Sequence, residues 1–319
     1  MILVAGSANL DFVVRAPHIP VPGQTVLGHE FATFPGGKGA NQAVASARAG
    51  GAATHMLLAL GDDAYAAPLE ASLRSAAVQL HTVRAIGVPT GVAFICVSDD
   101  AENAITVAPG ANNLLGPDHL PELGGFTHLL LQLEIPIPTV LAYAHSARAA
   151  GVIVALNAAP AQALNDELLA LVDVLIVNEG ELASVANHIG TIAECLERIR
   201  VPIVVVTLGG QGSCARVSSD YLMQPAFPIA PIDTTGAGDT FCGVLVAALS
   251  EGNGMAAALR RASAAAALAC TRSGAQSSIP TREEVAAFLH MQAATTAAQL
   301  AQINEFCGLP QPKDPTSYP

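Results

Sequence analysis

Between residues 128 and 208 short apolar runs alternate with longer segments of helical character, and that alternation leaves few folds open. Residues 129–133, 152–156, 174–177 and 203–208 read as strands, while 138–150 and the stretches between the later strands read as helices. Strands joined through helices pair in parallel, because each crossover returns the chain to the same end of the sheet. The expectation is an α/β fold with a mostly parallel central sheet, helices on both faces and ligands at the strand C-termini. Those ends carry polar residues: Asp11, Glu134, Asn157, Asn178 with Glu181, and Thr207 with Gly209 and Gly212. One such residue alone reads as a cap or a turn. Their repetition at strand after strand points to a shared site.

The first third of the chain departs from this pattern. Residues 2–6 read as a strand, but 12–34 hold two β-like pieces, 12–15 and 25–31, parted by Pro17, Pro20, Pro22 and Gly23. Residues 91–97 and 103–107 alternate in polarity around the polar turn 98–102 and read as a hairpin. These segments, about 11–35 and 90–108, predict a small separate sheet serving as a lid on a single domain spanning 1–319. Its apolar positions, such as Phe94 and Ile105, need cover from a ligand, the body or a second copy, so a homodimer through this sheet is expected.

Composition narrows the function. The chain is 51% hydrophobic, yet no apolar run reaches the roughly 20 residues that cross a bilayer, and its start lacks a basic leader. Six cysteines without paired short spacing argue against a zinc site and for a reducing compartment, the cytoplasm. A net charge of −12 speaks against a nucleic-acid partner. Lys38 and Lys313 are the only lysines, so a bound phosphate would depend on backbone N–H groups, arginine and a divalent metal. Beyond Gln299 the chain turns polar and proline-rich (Pro310, Pro312, Pro315, Pro319), and about 300–319 reads as a loosely held tail.

Two glycine-rich stretches feed helices. In the stretch 231–243, Gly236 and Gly238 precede an apolar, Ala-rich run at 240–249. A turn of this kind leaves helix N–H groups unpaired at the positive end of the dipole, an anion site. Asp239 inside it makes sense as a base that takes a proton from a hydroxyl attacking phosphorus. It reads equally well as an ordinary first-turn acid. The stretch 35–43 carries Gly36, Gly37 and Gly39 with Lys38 and Asn41, and lacks the Gly-Lys-Ser/Thr order of a Walker loop.

Five motifs together carry a resemblance: Gly-Ser-x-Asn-x-Asp at 6–11, Pro-Gly-Gly-Lys-Gly-Ala-Asn-Gln-Ala at 35–43, Leu-Gln-Leu-Glu at 131–134, Asp-Thr-Thr-Gly-Ala-Gly-Asp-Thr-Phe at 233–241 and Thr-Arg-x-Gly-Ala-Gln-x-Ser at 271–278. The chain resembles the ribokinase-like (PfkB) sugar kinases over about residues 2–279, which implies their three-layer α/β/α fold. The resemblance implies ATP-dependent transfer of a phosphoryl group to a sugar's primary hydroxyl, first D-ribose to D-ribose 5-phosphate. Another sugar, a nucleoside or a non-catalytic sensor are the alternatives. It implies that Asp11, Gly37, Lys38, Asn41 and Glu134 bind the sugar, that Asp239 is the base, and that Gly236, Ala237 and Gly238 form the anion hole. Asn178, Thr207, Gly209, Gly212, Gly238 and Ser263 would meet the nucleotide, and Glu181 would serve Mg²⁺. Asp233, Thr235, Ala269, Arg272, Gly274 and Ser278 match the ligands of a K⁺ ion. Phe94 is expected to face the sugar, and no aromatic cluster is visible near Asp11 or Lys38 to hold a base. A nicotinamide dehydrogenase is disfavoured, since no Gly-x-Gly-x-x-Gly follows the first strand.

Overall fold

The computed structural model describes residues 1–100 and 102–309. The N-terminal half comprises β1 (Ile2–Ala5), β2 (Asn9–Ala16), β3 (Glu30–Gly36), α1 (Lys38–Arg48), β4 (Thr54–Gly61), α2 (Ala66–Ser75), β5 (Gln79–Ala85), β6 (Gly91–Ser98) and β7 (Asn103–Ala108). Then follow β8 (His128–Leu131), α3 (Ile137–Ala149), β9 (Ile153–Asn157), α4 (Asp166–Leu169), β10 (Val174–Asn178), α5 (Glu179–Ala186), α6 (Ile192–Arg198) and β11 (Ile203–Thr207). The chain continues with β12 (Gly212–Val217), β13 (Asp220–Pro225), α7 (Ala237–Ser250), α8 (Met255–Ala269), α9 (Arg282–Met291) and α10 (Ala297–Cys307).

Nine strands form one sheet in the order β13-β12-β11-β10-β9-β8-β1-β4-β5. All neighbours from β5 to β11 pair in parallel, whereas β12 and β13 run antiparallel as an edge hairpin. A parallel strand is buried on both faces, and period-two alternation divides its side chains between two cores. Ile2 and Val4 of β1 face one core with α1, α2, α7 and α8, while Leu3 and Ala5 face the other with α3, α5 and α6. From β1 the chain builds outward to β4 and β5, then returns to β8 and builds the other way. The order therefore switches between β1 and β8, where the strand ends part and leave a crevice.

The four remaining strands form a second sheet in the order β3-β2-β6-β7. Apolar side chains are exposed on both of its faces, Phe31 and Phe94 on one and Ile105 on the other, all more than half exposed. Ala101, in the expected hairpin turn, lies outside the described residues.

The structure differs from expectation at the C-terminus. The chain is not loose from residue 300, because α10 starts on a Thr296–Gln299 capping box and buries Ile303 and Cys307, with Leu309 behind them. These residues join the core opposite the one that receives Val285 of α9, so the C-terminal segment passes from one face of the sheet to the other. Pro310, Pro312, Pro315 and Pro319 lie outside the described residues. Among the described residues, no helix is long and apolar enough to cross a membrane.

Candidate active site

Two helices begin at the crevice without a side-chain cap. α1 starts after Gly37 (φ 88°, ψ 132°) and α7 after Gly236 (φ 73°), and neither glycine has a side chain to offer the first N–H groups. By contrast α5, α6, α9 and α10 each close their starts with a capping box. At α1 the first N–H groups meet Glu134 and Ser7, whereas α7 starts as an open row of donors at the positive end of the dipole. A Cβ on Gly238 would meet nothing within 4 Å, so this position of α7 borders open space. Ala237 is already engaged, its N–H donating to Thr234 O at 3.2 Å. The helix begins earlier than its apolar run suggests, which puts Asp239 inside its first turn.

The glycines of the α1 approach are sterically required. A Cβ on Gly36 would lie 2.1 Å from Asp11 Oδ2, and one on Gly37 2.7 Å from Asn9 N. One on Gly39 would lie 2.7 Å from backbone atoms of Gly6 and Ser7. α1 thus abuts the end of β1, and Ala40 N–H donates to Ser7 O at 2.9 Å. Across the switch point the Ser7 hydroxyl donates to Glu134 Oε2 at 2.5 Å, and the same oxygen accepts the Lys38 N–H at 3.1 Å.

Lys38, Asn178, Glu181, Thr207, Gly236, Gly238 and Asp239 line one cleft of about 160 Å³, together with Asn157, Ala159 and Cys242. Asn178 and Glu181 brace each other: Glu181 N–H donates to Asn178 Oδ1, and Asn178 N–H to Glu181 Oε2, both at 2.8 Å. Burial, above all, raises the proton affinity of Glu181. Lys38 holds its proton more tightly than usual, chiefly because the Asp239 carboxylate faces it. Asp11, 9% exposed, is pushed up to about 7, first by burial and then by the charges of Glu134 and Asp239. Acidic groups thus crowd around one cation.

Gly209 (φ 52°) and Gly212 (φ 118°) shape the loop after Thr207, and a Cβ on Gly212 would lie 2.1 Å from Gln224 O. Ser263 is buried on α8 and does not line the cleft. Behind α7, Asp233 accepts the N–H groups of Thr235 at 2.9 Å and Gly274 at 2.8 Å, tying the 233–236 turn to the segment after α8. Ala269 O accepts the Arg272 N–H, and the buried Ser278 hydroxyl donates to Ala275 O at 2.8 Å. The Arg272 side chain pairs with Glu284 at 2.5 Å, leaving only its backbone for anything near Asp233.

The expectation that Phe94 faces the sugar is overturned. Phe12, Phe31, Phe94 and Tyr65 form a cluster on the small sheet, with Phe12 and Phe94 stacked at 5.5 Å. Asp11 pairs with Ala93 and Phe12 with Phe94, and successive strand residues point to opposite faces. Phe94 therefore stands on the far side of the small sheet from Asp11, and Phe34, paired with Asp11, is the ring on the carboxylate's own side.

Three amide side chains that sequence reasoning did not assign, Gln42, Gln132 and Gln276, join the site beside Asn157, which the strand-end pattern already points to. The three sit inside the quoted motifs. Nothing in the spacing shows that their amides converge.

A model of the family described as pfkB family carbohydrate kinase matches residues 1–282. Ribokinase of Haemophilus influenzae is 37% identical over 298 residues, covering 90% of this chain and 97% of its own. Ribokinase of Bacillus subtilis is 38% identical over 289 residues, covering 89% and 97%. The structure of Arabidopsis thaliana ribokinase complexed with ribose and ATP matches with a TM-score of 0.83 at 32% identity, over 91% of this chain and 99% of that one. The chain belongs to the pfkB family of carbohydrate kinases.

Proposed function

We propose that this chain transfers the terminal phosphoryl group of ATP to the primary hydroxyl of D-ribose, giving D-ribose 5-phosphate. The observation that carries the reading is the Asp239 carboxylate in the first turn of an uncapped helix, facing Lys38 and the Asp11–Glu134 acid pair. Asp11, Glu134, Asn41 and the backbone at Gly37 and Lys38 hold the sugar hydroxyls. Asp239 takes the proton of the attacking hydroxyl, and the first amides of α7 meet the charge on the transferred group. Lys38 lines the same cleft as Gly238 and extends that positive field to the phosphoryl side. Asn178, Thr207, Gly209, Gly212 and Ser263 form the nucleotide side. Phosphoryl transfer leaves the protein little covalent work, so holding the two reactants in line supplies much of the rate.

The residues suit the cations that the family uses. Glu181 is the carboxylate placed to serve Mg²⁺, which keeps several waters and partners ATP phosphates, screening their charge. Asp233, Thr235, Ala269, Arg272, Gly274 and Ser278 offer a carboxylate, carbonyl and hydroxyl set, an all-oxygen environment suited to K⁺. Bound there, K⁺ would fix the 233–236 turn that begins α7. Turnover is expected to rise several-fold when K⁺ is added to a Na⁺-free Tris buffer. A flat response removes the cation site.

The small sheet acts as a lid over the sugar, and its exposed apolar residues, Phe31 and Phe94 on one face and Ile105 on the other, form the contact of a homodimer. A monomeric mass by light scattering at micromolar concentration would count against that contact.

Asp11 sets a pH dependence. The ionised carboxylate accepts sugar hydroxyls with charge on both oxygens, whereas protonation turns one oxygen into a donor, and the Asp11 value of about 7 means that acid competes with sugar for it. The sugar KM is expected to fall by about tenfold from pH 6 to pH 8 and to level off above, with Asp11→Asn showing no such limb. For stability, the folded state keeps this proton after the unfolded chain has lost it. Asp11 thus favours the folded state at low pH, and that contribution drains away between about pH 4 and about pH 7.

A coupled ADP-release screen over ribose, deoxyribose, fructose and adenosine, with Mg-ATP and K⁺ present, tests the reading. Ribose is expected to give the highest kcat/KM. A preference for adenosine would move the acceptor to a nucleoside, and no turnover on any of the four would end the proposal.

A further inference from the structure

The Asp239 carboxylate is gripped on both oxygens by consecutive residues of α1. Asn41 Nδ2 donates to Oδ2 and Gln42 Nε2 to Oδ1, each at 2.9 Å. Both amides are themselves anchored from behind. Gln42 Nε2 also donates to Asn157 Oδ1 at 2.9 Å, its Oε1 accepts from Gln132 Nε2 at 2.6 Å, and Asn157 Nδ2 donates to Ile176 O at 3.1 Å. On the other side Asn41 Oδ1 accepts from Gln276 Nε2 at 3.1 Å, and Gln276 Oε1 accepts from the Ser72 hydroxyl at 2.6 Å. Gln42 and Gln132 are fully buried, and Asn41, Asn157 and Gln276 are nearly so. Five uncharged amides spread over α1, the ends of β8 and β9, and the segment after α8 thus converge on one carboxylate.

Such a set is costly, because each buried amide group left unpaired, as Gln132 Oε1 is, loses its hydration without return. Packing alone would be met more simply by apolar side chains. What the amides supply is direction. They fix the plane of the carboxylate, occupy one lone-pair position on each oxygen and leave the others toward the sugar side. Donors aimed at the charged form also favour ionisation.

We propose that Gln42 is a positioning residue for Asp239, acting through its Nε2 donor and backed by Gln132 and Asn157, so that the base stays ionised and aimed at the sugar hydroxyl. The inference rests on Asp239 being the base. The charged and titratable groups that face Asp239 are Lys38 on α1, Asp11 on β2, Glu181 on α5 and Cys242 on α7, with Glu134 beside Asp11 and Lys38, and the variants below leave all of them in place.

The test is the pH profile of kcat in Gln42→Met, which keeps the side-chain length and removes the donor. The expected result is a loss of kcat of about 10–100-fold at pH 7, with the acid limb displaced upward by about one unit and the KM values for sugar and ATP within about threefold. Gln132→Met, which only slackens Gln42, is expected to move the limb in the same direction by less, and it carries the test if Gln42→Met does not fold. A drop in kcat with an unmoved acid limb would reduce Gln42 to a packing residue, and unchanged kcat would remove it from the mechanism. Asp239→Asn measured alongside separates the two ideas. If that variant turns over normally, the base assignment fails; if it is inactive while the glutamine variants keep the parent profile, only the clamp fails.

Discussion

Asp239→Asn is expected to lower kcat by about 10²–10⁴-fold while ATP affinity stays within about twofold. The substitution keeps the shape of the side chain and removes its ability to take a proton. The carboxylate faces two amide donors, from Asn41 and Gln42. An asparagine can accept only one of them through oxygen, so the other meets an NH₂ group, a mismatch of about 1–3 kcal/mol. A modest fall in melting temperature therefore accompanies the loss of turnover. The proposed nucleotide side keeps its backbone donors, because neither the 207–212 loop nor the Asn178–Glu181 brace touches Asp239 by hydrogen bond. Steady-state kinetics and ATP titration of the same preparation check both halves. Turnover near that of the parent would show that proton removal does not pass through this residue.

Gly37→Ala is expected to damage stability and sugar use together. At φ 88° and ψ 132° the residue occupies backbone space that side chains avoid, and its Cβ would stand 2.7 Å from Asn9 N and 2.8 Å from Ala8 Cα. Strain of about 1–3 kcal/mol adds to overpacking of about 1–3 kcal/mol, so a loss of roughly 2–6 kcal/mol follows. The neighbours are backbone atoms of β2 and its approach, so relief means moving α1 and with it the Lys38 N–H that meets Glu134. Stability and sugar kcat/KM should fall together. Gly238→Ala provides the contrast: its Cβ meets nothing within 4 Å, so it should leave stability nearly unchanged while crowding the cleft. Chemical denaturation of both variants decides the matter. Equal stabilities would mean that the α1 approach yields more easily than its geometry implies.

Much of the architecture was legible because burial in a parallel sheet writes itself into residue choice. β1, β9, β10 and β11 are runs of Val, Ile, Leu and Ala, and each was readable within a residue or two. β5 escaped notice because it is an edge strand, half-buried, with Gln79, His81 and Arg84 interleaved among its apolar residues. The β12–β13 hairpin escaped for a related reason: it turns at Ser218 with φ 55°, a left-handed position held by a residue that gives no glycine signal. α10 gives a weak signal in sequence because its residues are mostly small or polar, and only docking against the far core makes Ile303 and Cys307 worth burying.

Taken alone, the sequence determined what acts over a few residues: strand and helix periodicity, the glycines at the starts of α1 and α7, and the motif residues gathered at the strand ends. The tertiary structure decided which of those groups meet. Asn41 and Gln42 lie about two hundred positions from Asp239, and Phe94 turned away from the sugar side because its register with Phe12, not its own composition, fixes its face. Local preference fixes backbone shape, but the direction of a side chain toward a distant partner depends on how strands register and helices dock. That information belongs to the whole fold and not to any stretch of it.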